Sequence, residues 1–346
     1  MSSGDSPQAD DVARVAGSPE WLPHRLTQGG AAVEFVCLPR EAQRSLPFLD
    51  ARYVEAGLAR VQLPIAELPQ AGTVPAGDCH FIFHSAFCCS TLLGRALDRE
   101  DVATVLQEPQ ILADLAALAS AGDHSRDRQA GLDRVLALLQ RPHRAGEATI
   151  LKLSNAANGL IEPLLALRPR ARAVIMYAPL PLFLLKVASG GVTRRRWARS
   201  IATRFDRDRV AASAPAPDLP LLTDLEAAAY AWLRHQEQFA GLLRGPHAAR
   251  LAVVEAGELL ADPIRTLGRV SDLFGLEIDE AMASDIASGP AFAAEAKVPG
   301  KPFDPATRRM NEAAAKFAYG AEIDAALDWG HGFAGRAGIP LRLNPA

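Results

Sequence analysis

The chain has 346 residues, 49% of them hydrophobic, and this length can bury the core of one large α/β domain or two smaller ones. Its formal net charge of −3 excludes the strong positive field typical of a protein that binds nucleic acid through overall charge. No apolar run reaches the roughly 18 residues that span a bilayer, so we expect no transmembrane segment.

The cysteines and the N-terminal residues indicate the compartment. The four cysteines lie at positions 37, 79, 88 and 89, which is not a metal-ligand spacing, and two adjacent cysteines do not suit a disulfide framework. The first residues are polar and acidic, without the basic start and apolar segment of a secretory signal. We therefore expect a cytoplasmic protein, with a flexible tail over residues 1–20 and a single α/β domain with a C-terminal helical and loop extension over residues 21–346.

The elements predicted along the chain alternate between strands and helices. The predicted strands are Ala32–Leu38, His80–His84, Thr149–Leu153, Ala173–Tyr177 and Leu251–Glu255. The predicted helices are Pro109–Ser120, Gln129–Leu139, Ala156–Leu167, Phe183–Ala188, Asp224–Leu243, Pro263–Phe274 and Pro305–Ala326, the last followed by a Gly/Pro-rich tail. Ala211–Leu221 is rich in Pro and Ala and predicts a long loop that serves as a lid or a mobile insertion. Short apolar strands separated by helices predict a parallel sheet flanked by helices, whose ligands bind beyond the carboxyl ends of the strands.

The residues after the first core strand form the most informative loop. The chain reads HSAFCCSTLL from His84, so small residues precede two hydroxyls, Ser90 and Thr91, that open a helix. Strand, short loop and helix start place backbone N–H groups where a phosphate or sulfate can bind. On the template G-x-x-x-x-G-K-[ST] of ATP-binding loops, Ser90 occupies the lysine position. The missing lysine argues against ordinary nucleoside triphosphate chemistry. The alternative to an anion-binding loop is a plain connection with a Ser/Thr cap on the helix.

Two charged residues follow the next strands. Glu108 precedes Pro109 at a helix entrance, where a carboxylate is electrostatically favoured; it can also act as a general base. Lys152 ends a central strand, where burial is costly unless the ammonium meets an anion. Only five of the 37 basic residues are lysines, so we interpret Lys152 as functional.

A cluster of basic residues follows the strand Ala173–Tyr177. Lys186 and Ser189 come first, and the arginines Arg194, Arg195, Arg196 and Arg199 follow. Such a run is a solvated helix face or a second anion site, since guanidinium groups match phosphate oxygens. Glu255 ends a further strand and is a weak candidate for a Mg²⁺ ligand.

Together these segments resemble the sulfotransferase superfamily, whose members have a P-loop-like α/β fold and use 3′-phosphoadenosine 5′-phosphosulfate. Phe87-Cys88-Cys89-Ser90-Thr91-Leu92-Leu93 is similar to that family's R-S-G-S-T-L-L loop, and Val253–Leu276 is similar to its V-x-Y-E-D-L-x-x-D-P signature. Glu108-Pro109 falls where many members carry an acidic residue, and Tyr177–Ser189 resembles the 3′-phosphate segment. This chain has Phe87 where the family's loop has a cation and Cys89 where that loop has a glycine. In the 3′-phosphate motif, it has Ala178 in place of the arginine and Lys186 in place of the serine.

The resemblance implies transfer of a sulfuryl group from the sulfonucleotide to a hydroxyl or amine of a small-molecule or glycan acceptor, without a metal. It implies catalytic roles for Glu108 and Lys152. Nucleotide binding is expected from Phe87, Cys88, Cys89, Ser90, Thr91, Lys186, Ser189, Arg194, Arg195 and Arg196. A small-molecule kinase with Thr91 and Glu255 on Mg²⁺, and a catalytically silent nucleotide-binding relative, are the alternatives. The acceptor and the oligomeric state are left open, and no nucleic-acid partner is expected.

Overall fold

A computed structural model describes residues 7–120, 126–207, 216–295, 297 and 305–344 of the chain. Its strands are β1 (Trp21–Thr27), β2 (Ala32–Cys37), β3 (Arg60–Pro64), β4 (Cys79–His84), β5 (Ala103–Gln107), β6 (Ala148–Lys152), β7 (Ala173–Tyr177) and β8 (Leu251–Glu255). Its helices are α1 (Pro7–Gly17), α2 (Arg40–Ser45), α3 (Ser90–Leu97), α4 (Gln110–Ser120), α5 (Arg126–Leu139), α6 (Ile161–Leu167), α7 (Leu180–Ser189), α8 (Gly191–Arg207), α9 (Asp224–Arg244), α10 (Ala256–Ala261), α11 (Pro263–Phe274), α12 (Glu280–Ser288), α13 (Pro290–Ala293) and α14 (Pro305–Ala337).

Five strands form a parallel sheet in the order β5-β6-β4-β7-β8, and helices flank it, which confirms the predicted fold class. The sequence order of the strands differs from their order in the sheet, so helical connections must cross over between them. β4, β5, β6 and β7 are buried along their whole length, because helices cover both faces of such a sheet. β1, β2 and β3 form a separate antiparallel sheet in that order.

The chain divides into two compact units. The first unit comprises Met1–Phe83, Thr91–Val174 and Pro263–Lys301. It contains the antiparallel sheet together with β5 and β6. The second unit comprises His84–Ser90, Ile175–Asp262 and Pro302–Ala346, and it contains α7, α8, α9 and α14 around the buried side chains of Tyr230 and Trp232.

Several boundaries differ from the predicted ones. The predicted flexible tail over residues 1–20 contains helix α1, whose Val15 is fully buried, while residues 1–6 lie outside the described residues. The predicted helix Ala156–Leu167 begins as a 3-10 helix over Asn155–Leu160 before α6. The final helix continues eleven residues beyond the predicted end, to Ala337.

Part of the predicted loop Ala211–Leu221 is described. Residues 211–215 lie outside the described residues, and Leu219–Leu221 form a 3-10 turn before α9. In the described part of the chain, no helix combines the length and the apolar character that a bilayer crossing requires.

Candidate functional site

The first unit brings together the two residues predicted to be catalytic. β5 and β6 pair in parallel, with Gln107 opposite Lys152, so Glu108 follows at the same edge of the sheet as the end of β6. The Glu108 N–H donates to the Lys152 carbonyl at 2.7 Å, and the Lys152 ammonium forms an ion pair with Glu108 Oε1. The Lys152 side chain is 0% exposed and that of Glu108 is 13% exposed. The ion pair is therefore almost completely buried, and only its carboxylate is partly exposed to solvent.

The backbone of Glu108 is strained. Its φ is +50°, in the left-handed region that side chains other than glycine rarely adopt, and Pro109 further restricts the residue before it. Such a conformation costs on the order of 1–3 kcal/mol and persists only where surrounding contacts impose it. Here the N–H bond to Lys152 and the ion pair together hold Glu108 in place.

Three cations lie around the ring of Phe48, and the sequence did not predict this arrangement. The Lys152 Nζ lies 5.2 Å from the ring centroid, the Arg52 Cζ 5.4 Å and the Lys297 Nζ 5.5 Å. All are within the distance at which a cation is attracted to an aromatic face. Asp50 binds the guanidinium of Arg52 through both carboxylate oxygens, at 3.0 Å and 3.2 Å from Nε, and this hydrogen bonding raises the pKa of Arg52.

The signals for this arrangement are weak in the sequence. Phe48 and Lys152 are about a hundred positions apart, and neither Phe48 nor Arg52 belongs to a recognisable motif. The scarcity of lysine, which singled out Lys152, also applies to Lys297 and was the available signal for it.

The loop between β4 and α3 has an unusual backbone. Ala86, Phe87 and Cys89 have φ values of +73°, +53° and +64°. The Ser85 N–H donates to the Met176 carbonyl at 3.0 Å, and the Ala86 N–H donates to His84 Nδ1 at 3.0 Å, so the start of the loop is fixed. Left-handed and ordinary backbone alternate over Phe87, Cys88 and Cys89, and such a succession turns N–H groups toward one point where an anion can bind.

Two buried hydroxyls border this loop. Ser85 is 0% exposed and Thr91 is 2% exposed, and among the described residues neither Ser85 Oγ nor Thr91 Oγ1 has a hydrogen-bond partner. A buried hydroxyl without a partner costs free energy, so a ligand that accepts hydrogen bonds from it is favoured. The predicted helix start at Ser90 agrees with the observed start of α3.

The strain at Cys89 gives the first testable prediction. We expect Cys89→Gly to raise the free energy of unfolding by about 0.5–1 kcal/mol, because glycine adopts positive φ without the roughly 1–2 kcal/mol penalty of other residues. Cys89→Val should lower it by more than about 1 kcal/mol, since a β-branched side chain fits this region worst. Urea denaturation of both variants measures these changes.

The neighbouring Cys88, which is buried and has no positive φ, supplies the control for that comparison. Cys88→Gly should destabilise the protein, because it removes a buried side chain without relieving strain. Equal effects of glycine at both positions would contradict the assignment of strain to Cys89.

The predicted basic cluster lies in the second unit, and acids of the same unit bind most of its members. Lys186 Nζ lies 2.8 Å from Glu312 Oε1, Arg195 Nη2 lies 2.8 Å from Glu322 Oε2, and Arg199 Nη2 lies 2.9 Å from Asp224 Oδ1. Ser189 is exposed, and its hydroxyl donates to the Lys186 carbonyl at 3.3 Å. Arg196 is exposed on α8.

Phe87 lies in an aromatic cluster of the second unit. Its ring centroid is 5.6 Å from that of Phe183 on α7 and 5.3 Å from that of Trp197 on α8. The Arg194 guanidinium lies over the Phe87 ring at 5.1 Å. The loop residue is thus fixed by two helices that follow β7.

Glu255, the candidate Mg²⁺ ligand of the kinase alternative, has other contacts in the second unit. The Tyr177 hydroxyl donates to Glu255 Oε2 at 3.1 Å, and Glu255 also caps the first turn of α10. Burial, with a contribution from Glu255, raises the pKa of Tyr177 to about 12. These contacts explain the carboxylate as a structural group.

The chain is similar to several solved sulfotransferases. The sulfotransferase domain from the curacin biosynthetic pathway is 14% identical, with 77% of this chain and 99% of that domain covered and a TM-score of 0.41. Sulfotransferases from Alicyclobacillus acidocaldarius and Mycobacterium avium are 13% and 14% identical, with TM-scores of 0.36 and 0.38. The match to the Alicyclobacillus acidocaldarius protein covers 75% of this chain and 97% of that protein. The match to the Mycobacterium avium protein covers 94% of this chain and 98% of that protein.

The matched proteins belong to the class that the sequence motifs resemble. At such low identity and TM-score, however, they assign no activity, nucleotide or acceptor to this chain. No protein-family model matches the chain, and no curated protein matches it in sequence.

Proposed function

We propose that the protein is a sulfotransferase that moves a sulfuryl group from 3′-phosphoadenosine 5′-phosphosulfate to a hydroxyl or amine acceptor. The loop after β4 carries the proposal: left-handed backbone at Ala86, Phe87 and Cys89 leads into Ser90 and α3, and buried hydroxyls border it. An oxyanion such as the 5′-phosphosulfate suits these donors. The loop has no lysine at the position where ATP-binding loops carry one, which disfavours a nucleoside triphosphate.

The Glu108–Lys152 pair supports the transfer step. In-line transfer forms a bond from the acceptor oxygen or nitrogen to sulfur and breaks the bond from sulfur to the bridging oxygen. Glu108 accepts the acceptor's proton, and its partly exposed carboxylate can be reached for that purpose. Lys152 has three N–H donors and neutralises the charge that develops on the bridging oxygen. The products are the sulfated acceptor and adenosine 3′,5′-bisphosphate.

The acceptor is a small molecule or a glycan, and the reaction has no need of a metal, since the cations of the chain supply the positive charge. A cytoplasmic location agrees with this co-substrate and with the four free cysteines.

Isothermal titration of the full chain with adenosine 3′,5′-bisphosphate in the presence of EDTA is the first test. We expect saturable binding without Mg²⁺, weakened at least tenfold in Lys152→Met but unchanged in Lys316→Met, which removes an exposed lysine of α14. Turnover is measured by transfer of label from the ³⁵S-sulfonucleotide to a panel of phenols, alcohols, amines and glycans.

Each other outcome contradicts the proposal in a different way. Binding of Mg·ATP with no binding of the bisphosphate would identify a kinase or another nucleoside triphosphatase. Binding of the sulfonucleotide without transfer to any acceptor would identify a catalytically silent relative.

A further inference from the structure

The loop after β4 offers hydrogen-bond donors to an anion, and none of its residues from Ser85 to Thr91 carries a positive charge. Within the second unit, the guanidinium of Arg194 lies over the ring of the loop residue Phe87, 5.1 Å from the ring centroid. Arg194 Nη1 also donates to the Lys186 carbonyl at 2.7 Å. The cation–π contact and this hydrogen bond fix the side chain in one direction.

Gly190 makes this position of Arg194 possible. A Cβ added at Gly190 would lie 1.9 Å from Arg194 Cδ, 2.4 Å from Cγ and 2.5 Å from Nε. The arginine side chain therefore folds back across the glycine, and any larger residue there would displace it. The φ of Gly190 is −87°, which other residues adopt without strain, so close approach is the reason for the glycine.

Most of the basic residues around Arg194 are bound to a carboxylate. Lys186, Arg195 and Arg199 are bound by Glu312, Glu322 and Asp224, respectively. Among the described residues, Arg194 has no acidic partner, and only Nη1 is engaged in a hydrogen bond. A guanidinium has five N–H donors, so Nε and Nη2 remain to bind two oxygens of one oxyanion.

We propose that Arg194, held on Phe87 across Gly190, is the cation of this loop and binds the 5′-phosphate or phosphosulfate group of the nucleotide. The assignment rests on the proposed function and sharpens it, because it selects one residue from the basic cluster and one end of the nucleotide. In this arrangement Phe87 supports the cation, because its ring is the surface on which the Arg194 guanidinium lies.

Titrations with three probes test the assignment: adenosine 3′,5′-bisphosphate, adenosine 5′-monophosphate and adenosine 3′-monophosphate. Arg194→Ala should weaken binding of the first two by about tenfold to a hundredfold, the range expected for loss of a bidentate, charge-assisted contact. Its affinity for the 3′-monophosphate should stay within twofold of that of the unmodified protein. Arg207→Ala, which removes an exposed arginine from the same helix, should change none of the three.

Gly190→Ala tests the position of the guanidinium while its charge remains. It should weaken binding of the 5′-phosphate probes at least fivefold, and the double variant Gly190→Ala/Arg194→Ala should bind no more weakly than Arg194→Ala alone. This non-additivity is the signature of one residue acting through the other. Thermal unfolding of each variant establishes that it is folded at the titration temperature.

Three results would overturn the assignment. Arg194→Ala that binds the bisphosphate as tightly as the unmodified protein would remove Arg194 from the site while leaving the proposed function intact. Loss of affinity for the 3′-monophosphate alone would place Arg194 at the other end of the nucleotide. Additive effects of the two substitutions would separate Gly190 from Arg194. If the unmodified protein binds none of the probes, the proposed function itself fails.

Discussion

Lys152→Met should lower the rate of sulfuryl transfer about 10²–10³-fold and destabilise the protein, whereas the double variant Lys152→Met/Glu108→Gln should recover the stability but not the activity. The ammonium of Lys152 is fully buried against the Glu108 carboxylate. Its removal takes the ion-pair partner away from that carboxylate, which costs about 3–5 kcal/mol for a fully buried pair and less here because Glu108 is partly exposed. A neutral Met–Gln pair of similar volume removes this penalty.

The loss of activity has a separate cause. A preorganised cation aimed at developing charge contributes about 10²–10³-fold to turnover, and neither variant contains one at residue 152. Urea denaturation and the rate of label transfer from the sulfonucleotide are therefore measured on the same samples. Lys316→Met should change neither quantity.

Two observations would contradict this account of the pair. Full activity in the double variant would exclude Lys152 and Glu108 from the chemistry. A double variant that is as unstable as Lys152→Met would mean that the cost of the single substitution is lost packing and not the broken ion pair.

Some elements could be predicted to the residue. The strands β7 and β8 were predicted at Ala173–Tyr177 and Leu251–Glu255, as observed, because largely buried strands of a parallel sheet have short apolar sequences. Helix α11 begins at Pro263 and ends at Phe274, as predicted, since proline suits the first helical position and Gly275 has the positive φ of a helix stop. In each case a local physical rule determines the boundary.

The end of α14 could not be predicted from local rules. Glycine usually ends a helix, yet α14 continues through Gly320, Gly330, Gly332 and Gly335. At Gly330, an added Cβ would lie 3.2 Å from Leu180 Cδ2 of α7 and 3.4 Å from the Ala229 Cβ of α9. Close packing between these helices of the second unit therefore outweighs the low helix propensity of glycine, and this contact is not visible in the sequence of α14.

In the candidate site, too, local rules predict some features and tertiary contacts determine the others. Position after a parallel strand was enough to single out Glu108 and Lys152, because the carboxyl ends of such strands meet at one edge. That the two side chains pair with each other depends on the register that sets Gln107 opposite Lys152, which periodicity does not reveal. Lys152 and Lys297 come from segments distant from Phe48, so only tertiary structure brings them to its ring.

Acidification from pH 7 to pH 5 should lower the free energy of unfolding through two buried histidines. In the first unit, the ring of His80 stacks on Phe274 at 4.7 Å, and burial lowers its pKa to about 4. In the second unit, His235 packs edge-on against Phe205 at 4.6 Å, and burial lowers its pKa to about 3. Both values lie below the 6.5 of an exposed histidine.

The free energy of unfolding falls on acidification because the unfolded chain binds protons that the folded protein does not. At pH 5 the unfolded chain protonates both rings while the folded protein keeps them neutral, so protons favour unfolding and stability rises with pH. The stabilisation is complete above pH 6.5 and is lost as the pH falls through 6.5 toward the folded pKa values. At pH 5 the loss is about 2 kcal/mol for each histidine.

Single variants separate the effect of each histidine from that of other titratable groups. One such group is Asp98: burial raises its pKa to about 6, so its protonation opposes the loss of stability on acidification. His80→Asn keeps a side-chain acceptor for the Arg172 N–H, which donates to His80 Nδ1 at 3.3 Å. The fall in unfolding free energy between pH 7 and pH 5 should shrink by about 2 kcal/mol in this variant, but not in His331→Asn, which alters an exposed histidine of α14. An equal fall in all three proteins would show that the His80 ring is accessible to protons in the folded state, because only a ring that stays neutral on folding can link its burial to acid sensitivity.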